Sequence, residues 1–169
     1  VTITGNNFFA GASVALRKLG QAPIVSGNVQ VINNTTIECS FDLTGTALGR
    51  WNVVVTNSDG QSGMLADGFL VKGKQPEITK VTPNQALKGT IVGVTIDGEN
   101  FYPGIMVELR GNITIPGIST TLLSDKQVWT KFDLRNAVAG DYNVVVTNAD
   151  GQSATHSFVV FEVPNINPE

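Results

Sequence analysis

The sequence predicts an all-β protein built as two sandwich domains in tandem, and three observations carry that prediction. First, WNVVVTNSDGQS, from Trp51 to Ser62, returns nearly unchanged 91 positions later as YNVVVTNADGQS, from Tyr142 to Ser153. A period of that length matches one small sandwich of roughly 100 residues and exceeds the roughly 20–50 residues of a solenoid unit. Second, short runs alternate apolar and polar residues, and 18 glycines punctuate them, the pattern of strands joined by tight turns. Third, no long segment carries apolar residues at 3.6 spacing, so helix is at most a minor component.

Bulk properties fit this reading. Hydrophobic residues make up 41% of the 169 residues, enough for two modest cores, and charged residues only 15%, against about 25% on average. The net charge is −3, and the 11 Lys and Arg residues are scattered. No basic run is present to track a phosphate backbone, so nucleic acid is not an expected partner. No apolar run approaches the roughly 18 residues of a membrane span. The chain opens directly in strand-like sequence, which suggests that a leader was removed or that this is a piece of something longer. A single cysteine, Cys39, excludes an intrachain disulfide and a Cys-based zinc site. It alternates with Glu38 and Ser40 on the same line as Ile37 and Phe41, an inward structural thiol.

The two copies align beyond the quoted stretch. VTITGNNF (Val1 to Phe8) matches VTIDGENF (Val94 to Phe101), each an alternating strand that Gly5 or Gly98 is expected to break. GASVAL (Gly11 to Leu16) matches GIMVEL (Gly104 to Leu109), with Val14, Leu16, Val107 and Leu109 inward. NTTIECSFDL (Asn34 to Leu43) matches DKQVWTKFDL (Asp125 to Leu134). Between these segments the copies differ in length, as loops tolerate at little cost. In the repeated stretch, Trp51, Val53 and Val55 face inward, as do Tyr142, Val144 and Val146, with Tyr142 a candidate tyrosine corner. TNSDGQS and TNADGQS are hairpin turns in which Asn and Asp bond their own backbone and Gly60 or Gly151 supplies positive φ. That explains Asp59 and Asp150 better than a calcium site, because no oxygen-rich cluster surrounds either. Each copy closes on a last strand, at Phe69-Leu70-Val71 and Phe158-Val159-Val160.

The pattern V-T-I-x-G-x-N-F, followed by G-x-[WY]-x-V-x-V-T-N-x-D-G and a closing Phe strand, resembles the IPT/TIG family of immunoglobulin-like sandwiches. Members occur in cell-surface receptors, bacterial and archaeal surface proteins, some polysaccharide-acting enzymes and Rel-type transcription factors. The resemblance covers nearly the whole chain. It implies fold strongly and function weakly, since one scaffold carries many roles. The second copy also carries the family's opening, Pro76-Glu77-Ile78-Thr79-Lys80-Val81-Thr82-Pro83 with Gly89 and Gly93. The first copy begins at Val1, where the second has Val94, and so lacks its opening strand. The domains expected are 1–73 and 74–163, with KGKQ (Lys72 to Gln75) as a short polar linker. Residues 164–169 form a tail that resembles the opening strand of a further repeat.

A sandwich without its opening strand exposes an unpaired edge and an apolar strip. At the other end, Ile166-Asn167-Pro168 echoes Val81-Thr82-Pro83. Two readings follow. The chain is a window cut from a longer tandem array, or the tail, Pro164, Asn165, Ile166, Asn167 and Pro168, adds a strand to the first copy of a neighbour. Such a contact is head-to-tail and propagates into filaments when it does not close.

No constellation for catalysis emerges. One His, His156, and one Cys cannot assemble a zinc site or a histidine-based triad. Asp97 and Glu99 sit at a strand exit, no phosphate-cradling glycine motif is present, and no cofactor or metal is implied. The chain is therefore not expected to be an enzyme. Sequons mark Asn33, Asn34 and Asn112 as candidate glycosylation sites. Trp129 falls on the outward line of its strand, where it suits an interdomain or intermolecular contact, a sugar contact, or simple partial burial under a loop. The role expected is an extracellular structural or adhesive module of a repetitive cell-surface protein, sheath or filament, partnered with itself. The alternative is a carbohydrate-binding or spacer module of a secreted polysaccharide-acting enzyme. A Rel-like DNA-binding role conflicts with the acidic balance.

Overall fold

The computed structural model describes residues 1–164, and among these every regular element is a β-strand. The chain separates into two compact units, Val1–Lys72 and a second that begins at Gly73. Each is an immunoglobulin-like β-sandwich. The tail residues Asn165, Ile166, Asn167 and Pro168 lie outside the described residues.

The first unit contains β1 (Thr2–Thr4), β2 (Ser13–Arg17), β3 (Ile24–Val25), β4 (Gly27–Asn33), β5 (Thr36–Ser40), β6 (Gly49–Thr56) and β7 (Ser62–Val71). One sheet has the order β1-β5-β4 and the other β3-β2-β6-β7. Period-two alternation sends Val14, Leu16, Ile37, Cys39, Trp51, Val53 and Val55 into a common core, as apolar burial requires.

The second unit contains β8 (Glu77–Thr82), β9 (Gln85–Leu87), β10 (Ile91–Glu99), β11 (Met106–Arg110), β12 (Thr114–Ser124), β13 (Gln127–Asp133), β14 (Gly140–Thr147) and β15 (Ser153–Phe161). The layer β8-β10-β13-β12 and the layer β12-β11-β14-β15-β9 share the long strand β12. Thr114 to Pro116 pair with β11, whereas Gly117 to Ser124 pair with β13. The turn from one layer to the other needs Gly117, because a Cβ there would lie 2.7 Å from the Val107 carbonyl oxygen. In the first unit the same crossing is broken into β3 and β4 at Ser26, whose N–H bonds the Val14 carbonyl at 2.9 Å. Asn28 and Ser119, 91 positions apart, both take positive φ there, 48° and 57°.

Matched aromatics tie each sandwich at one corner. The Tyr142 hydroxyl donates to the Val138 carbonyl at 3.1 Å and accepts from the Val138 N–H at 3.3 Å. Trp51 does the same work with its indole, donating to the Ala47 carbonyl at 2.9 Å. Both rings are 2% exposed, so a core aromatic keeps a satisfied polar end.

Strands β8 and β9 have no counterpart in the first unit. In the second, β8 pairs antiparallel with β10, and β9 pairs parallel with β15. In the first, β1 pairs only with β5, and β7 only with β6. The strand-breaking role expected of Gly98 is corrected by this pairing. β10 runs through Gly98 to Glu99, and the glycine marks a bulge against β8. A Cβ on Gly98 would fall 1.9 Å from the Glu77 carbonyl oxygen, so the main chain of β8 needs the space a side chain would take. At Gly5 the corresponding Cβ would meet only the tip of the Phe8 ring, at 2.6 Å.

This difference sets an unequal cost for one substitution made twice. Gly98→Ala should destabilise the second unit by about 2–3 kcal/mol, because main chain cannot yield as a ring tip can. Gly5→Ala should cost the first unit less than half as much, as read by urea unfolding of each variant.

Candidate functional site

The two strand edges of the first unit that β8 and β9 would cover border a cleft of about 500 Å³. Its floor is apolar, formed chiefly by Ile3, Phe8, Phe41, Val53, Val55 and Phe69, and Met64 and Leu65 form part of its wall. Val1 N–H and C=O both bond Cys39, and the Gly5 N–H bonds the Thr35 carbonyl. Alternation along β1 therefore turns the N–H and C=O groups of Thr2 and Thr4 away from β5, toward the open edge.

The second unit shows what the cleft lacks. Ile96, Phe132, Phe158 and Phe101 occupy the positions of Ile3, Phe41, Phe69 and Phe8, and each is at most 1% exposed. Their counterparts in the first unit are only half-buried. The ring pair is conserved in geometry: Phe41 and Phe69 meet edge-on at 5.6 Å, Phe132 and Phe158 at 6.2 Å. What differs is the cover. Val81 and Ala86, from β8 and β9, are buried over the second core, with Ile78 packed beside them. Val1 answers to fully buried Val94, yet it is 55% exposed. Met64 and Leu65, 64% and 63% exposed, lie open at the same cleft. A strand laid into the cleft would bury apolar side chains worth about 1.5–3 kcal/mol each when fully covered and pair an exposed sheet edge.

At the polar end of the cleft the repeated turn does more than sequence indicates. Asp59 and Asp150 do cap their own turns, accepting from the N–H of Gln61 and Gln152 at 3.0 and 3.1 Å. Gly60 and Gly151 both take φ of 86°. Asn57 and Asn148 correct the expectation that they bond their own turn: each side chain bridges to another loop. Asn57 accepts from Phe9 N–H and donates to the Asn7 carbonyl; Asn148 accepts from Tyr102 N–H and donates to the Asn100 carbonyl.

The remaining candidate residues are dispersed. Asn33 ends β4 and accepts two bonds from Thr35, from its N–H and its hydroxyl, both at 2.8 Å. Asn34 lies in the following turn and Asn112 in the β11–β12 loop, and all three asparagines are exposed. Trp129 is half-buried on β13. Its ring lies 3.5 Å from where a Gly93 Cβ would stand, with Lys131 Nζ 5.3 Å from the ring centroid. The indole thus covers the bare stretch of β10 at Gly93. Asp97 accepts from Gln127 at 2.7 Å, and Glu99 pairs with Lys126 at 3.6 Å. Burial pushes the Cys39 thiol pKa up, away from the thiolate a nucleophile needs. Among the described residues no three potential ligands gather for a metal, and no helix is long and apolar enough to cross a membrane.

No protein-family model matches this chain, and no curated protein matches it. Among solved structures it is similar to SGBP-B of the Bacteroides ovatus mixed-linkage glucan utilization locus in complex with a mixed-linkage heptasaccharide. That likeness has 18% identity and a TM-score of 0.39, and covers 95% of this chain and 41% of that one. It is similar to the full extracellular region of plexin A4 at 11% identity and a TM-score of 0.42, covering 96% of this chain and 23% of that one. With murine CEACAM1b the identity is 14% and the TM-score 0.40, covering 89% and 85%. The chain spans less than half the length of the first two.

The Asp150 environment yields a pH prediction. Burial alone would raise its pKa, but bonds from Gly73 N–H, the Gln152 side chain and Gln152 N–H outweigh that and lower it from the ordinary carboxylate value. A depressed folded pKa means stability present above the unfolded value and lost as pH falls through the folded one. Asp150→Asn should therefore cost the second unit about 1–2 kcal/mol at pH 7. The gap from the parent chain should narrow as pH falls through and below the ordinary carboxylate range, as followed by urea unfolding across pH.

Proposed function

We propose that this chain is a non-catalytic extracellular structural and adhesive module of a repetitive surface protein, sheath or filament, of the IPT/TIG type. Its work is to space, display and join copies of itself. The observation that carries the reading is the paired state of one fold in a single chain: the cleft is filled by β8 and β9 in the second unit and open in the first. An open sheet edge over an apolar strip favours strand addition, in which main-chain bonds give affinity and alternate side chains give specificity. The same edge joined to a neighbour's strand makes a heterologous contact, which extends into a filament when it does not close.

Several features support a surface role. Asn33, Asn34 and Asn112 stand exposed, as acceptors of glycans require. The tail Pro164 to Pro168 echoes the opening strand in carrying two prolines and an aliphatic residue, with its prolines four positions apart (168 − 164) against seven (83 − 76), which makes it the chain's own candidate donor. The quoted IPT/TIG motifs coincide with the structural corners and turns of both units.

The reading is tested by removing residues 164–169 and measuring association by sedimentation velocity and electron microscopy. Head-to-tail polymers of the parent chain should disappear, while circular dichroism shows both sandwiches retained. Polymers that survive the deletion, or a parent chain that stays monomeric at high concentration, would overturn assembly through this tail.

A further inference from the structure

The second unit holds the approach to its opening strand by a device that recurs, without its guest, in the first. Asp150 Oδ2 accepts from the Gly73 N–H at 2.9 Å, and Gln152 Nε2 donates to the Gly73 carbonyl at 2.9 Å. The two side chains also bond each other, Gln152 Nε2 to Asp150 Oδ2 at 2.8 Å. They thus grip the N–H and the C=O of one residue, three positions before the buried Pro76 from which β8 departs. Two residues further on, Asn100 Nδ2 donates to the Gln75 carbonyl at 3.0 Å.

Each gripping residue has a twin in the first unit. Asp59 and Gln61 make the same mutual bond, at 3.2 Å, and the same turn-closing bond, at 3.0 Å. Asn7 repeats the backbone twist of Asn100, with φ of 62° against 61°. No described residue stands where Gly73 and Gln75 stand, and Asp59, Gln61 and Asn7 are all exposed. Gln61 and Asn7 line the polar end of the cleft. The polar grip and the apolar floor thus form one continuous site.

We propose that Asp59, Gln61 and Asn7 are a main-chain clamp that admits the opening segment of a neighbouring repeat, of the kind this chain carries at Gly73–Leu87. The proposal rests on the strand-addition reading and adds to it the point of attachment and the register. The clamp takes the peptide group of the residue three before the donor's proline. From there the donor runs antiparallel to β1, placing its Lys80 position opposite Thr4 and its Thr82 position opposite Thr2, as the β8–β10 register dictates. Its two aliphatic positions, those of Ile78 and Val81, meet the exposed floor at Ile3 and the phenylalanines. The segment then turns to lie parallel to β7 beside Leu70 and Val71, as β9 lies beside Val159 and Val160. Clamp selectivity comes from main-chain geometry, so it tolerates variation in the donor's side chains while fixing where pairing starts.

A fluorescently labelled synthetic peptide of residues Gly73–Leu87, titrated into the full chain, tests this. Binding should saturate at one peptide per chain, because the second unit's cleft is already filled. Gln61→Ala should weaken it about fivefold, the effect of one lost main-chain hydrogen bond. A shortened peptide beginning at Pro76 should bind the unaltered chain at least about tenfold more weakly, since it forfeits both clamp bonds and the Asn7 contact. Equal binding of the short and long peptides, or indifference to Gln61→Ala, would overturn the clamp and leave strand addition standing. Failure of both peptides to bind would overturn the two together.

Discussion

An interior strand of a β-sheet satisfies its main chain on two sides, and an edge strand on one. Everything distinctive about this molecule depends on that constraint meeting an uncovered apolar strip. In the second unit β8 and β9 close both edges, and the phenylalanines beneath them are sealed from water. In the first, the same phenylalanine positions, the same corner and the same turns are present, but the sealing strands are not. Proteins ordinarily blunt such an edge with charge, proline or a bulge. β1 offers Thr2, Ile3 and Thr4 instead, an uncharged border.

The internal repeat supplies matched positions within a single chain. Comparison of matched positions removes most differences of sequence and leaves those of cover. Gly98 and Gly5 share a motif, yet only Gly98 has main chain pressed against it. Asp150 and Asp59 share a turn, yet only Asp150 holds a residue from beyond the turn. In each pair the second unit shows the interaction completed and the first shows its acceptor half. Both differences fall where the second unit has β8 and the segment that leads into it.

Much of this was legible in the sequence because it depends on local pattern. Inward alternation placed Val14, Leu16, Ile37 and Cys39 in the core, and the repeated DG pair placed the hairpins. Aligning Val1 with Val94 matched β1 to the middle of β10. The rest was not legible, because it depends on partners distant along the chain. Gly98 reads as a strand breaker until the main chain of Glu77 is known to pass beside it. Asn57 and Asn148 read as turn residues, but the loops they bridge lie 46 to 50 positions away. Trp129 reads as outward, whereas its half-buried seat on Gly93 depends on the pairing of β10 with β13. The proposed clamp is hidden most completely, since Asp59 and Asp150 sit in turns that differ only at Ser58 and Ala149, and the reach of Gly73 to Asp150 comes from far along the chain.

The most direct measurement is thermal unfolding of a chain in which residues 73–93 are repeated ahead of Val1, so that Gly93 leads into Val1 as it leads into Val94. If the first unit is an unfilled sandwich, its own covering segment in cis should raise its unfolding transition by roughly 10 °C, the scale expected when one or two kcal/mol is added to a domain of this size. An unchanged or lowered transition would mean that the cleft is not a seat for a strand, and the account would fail.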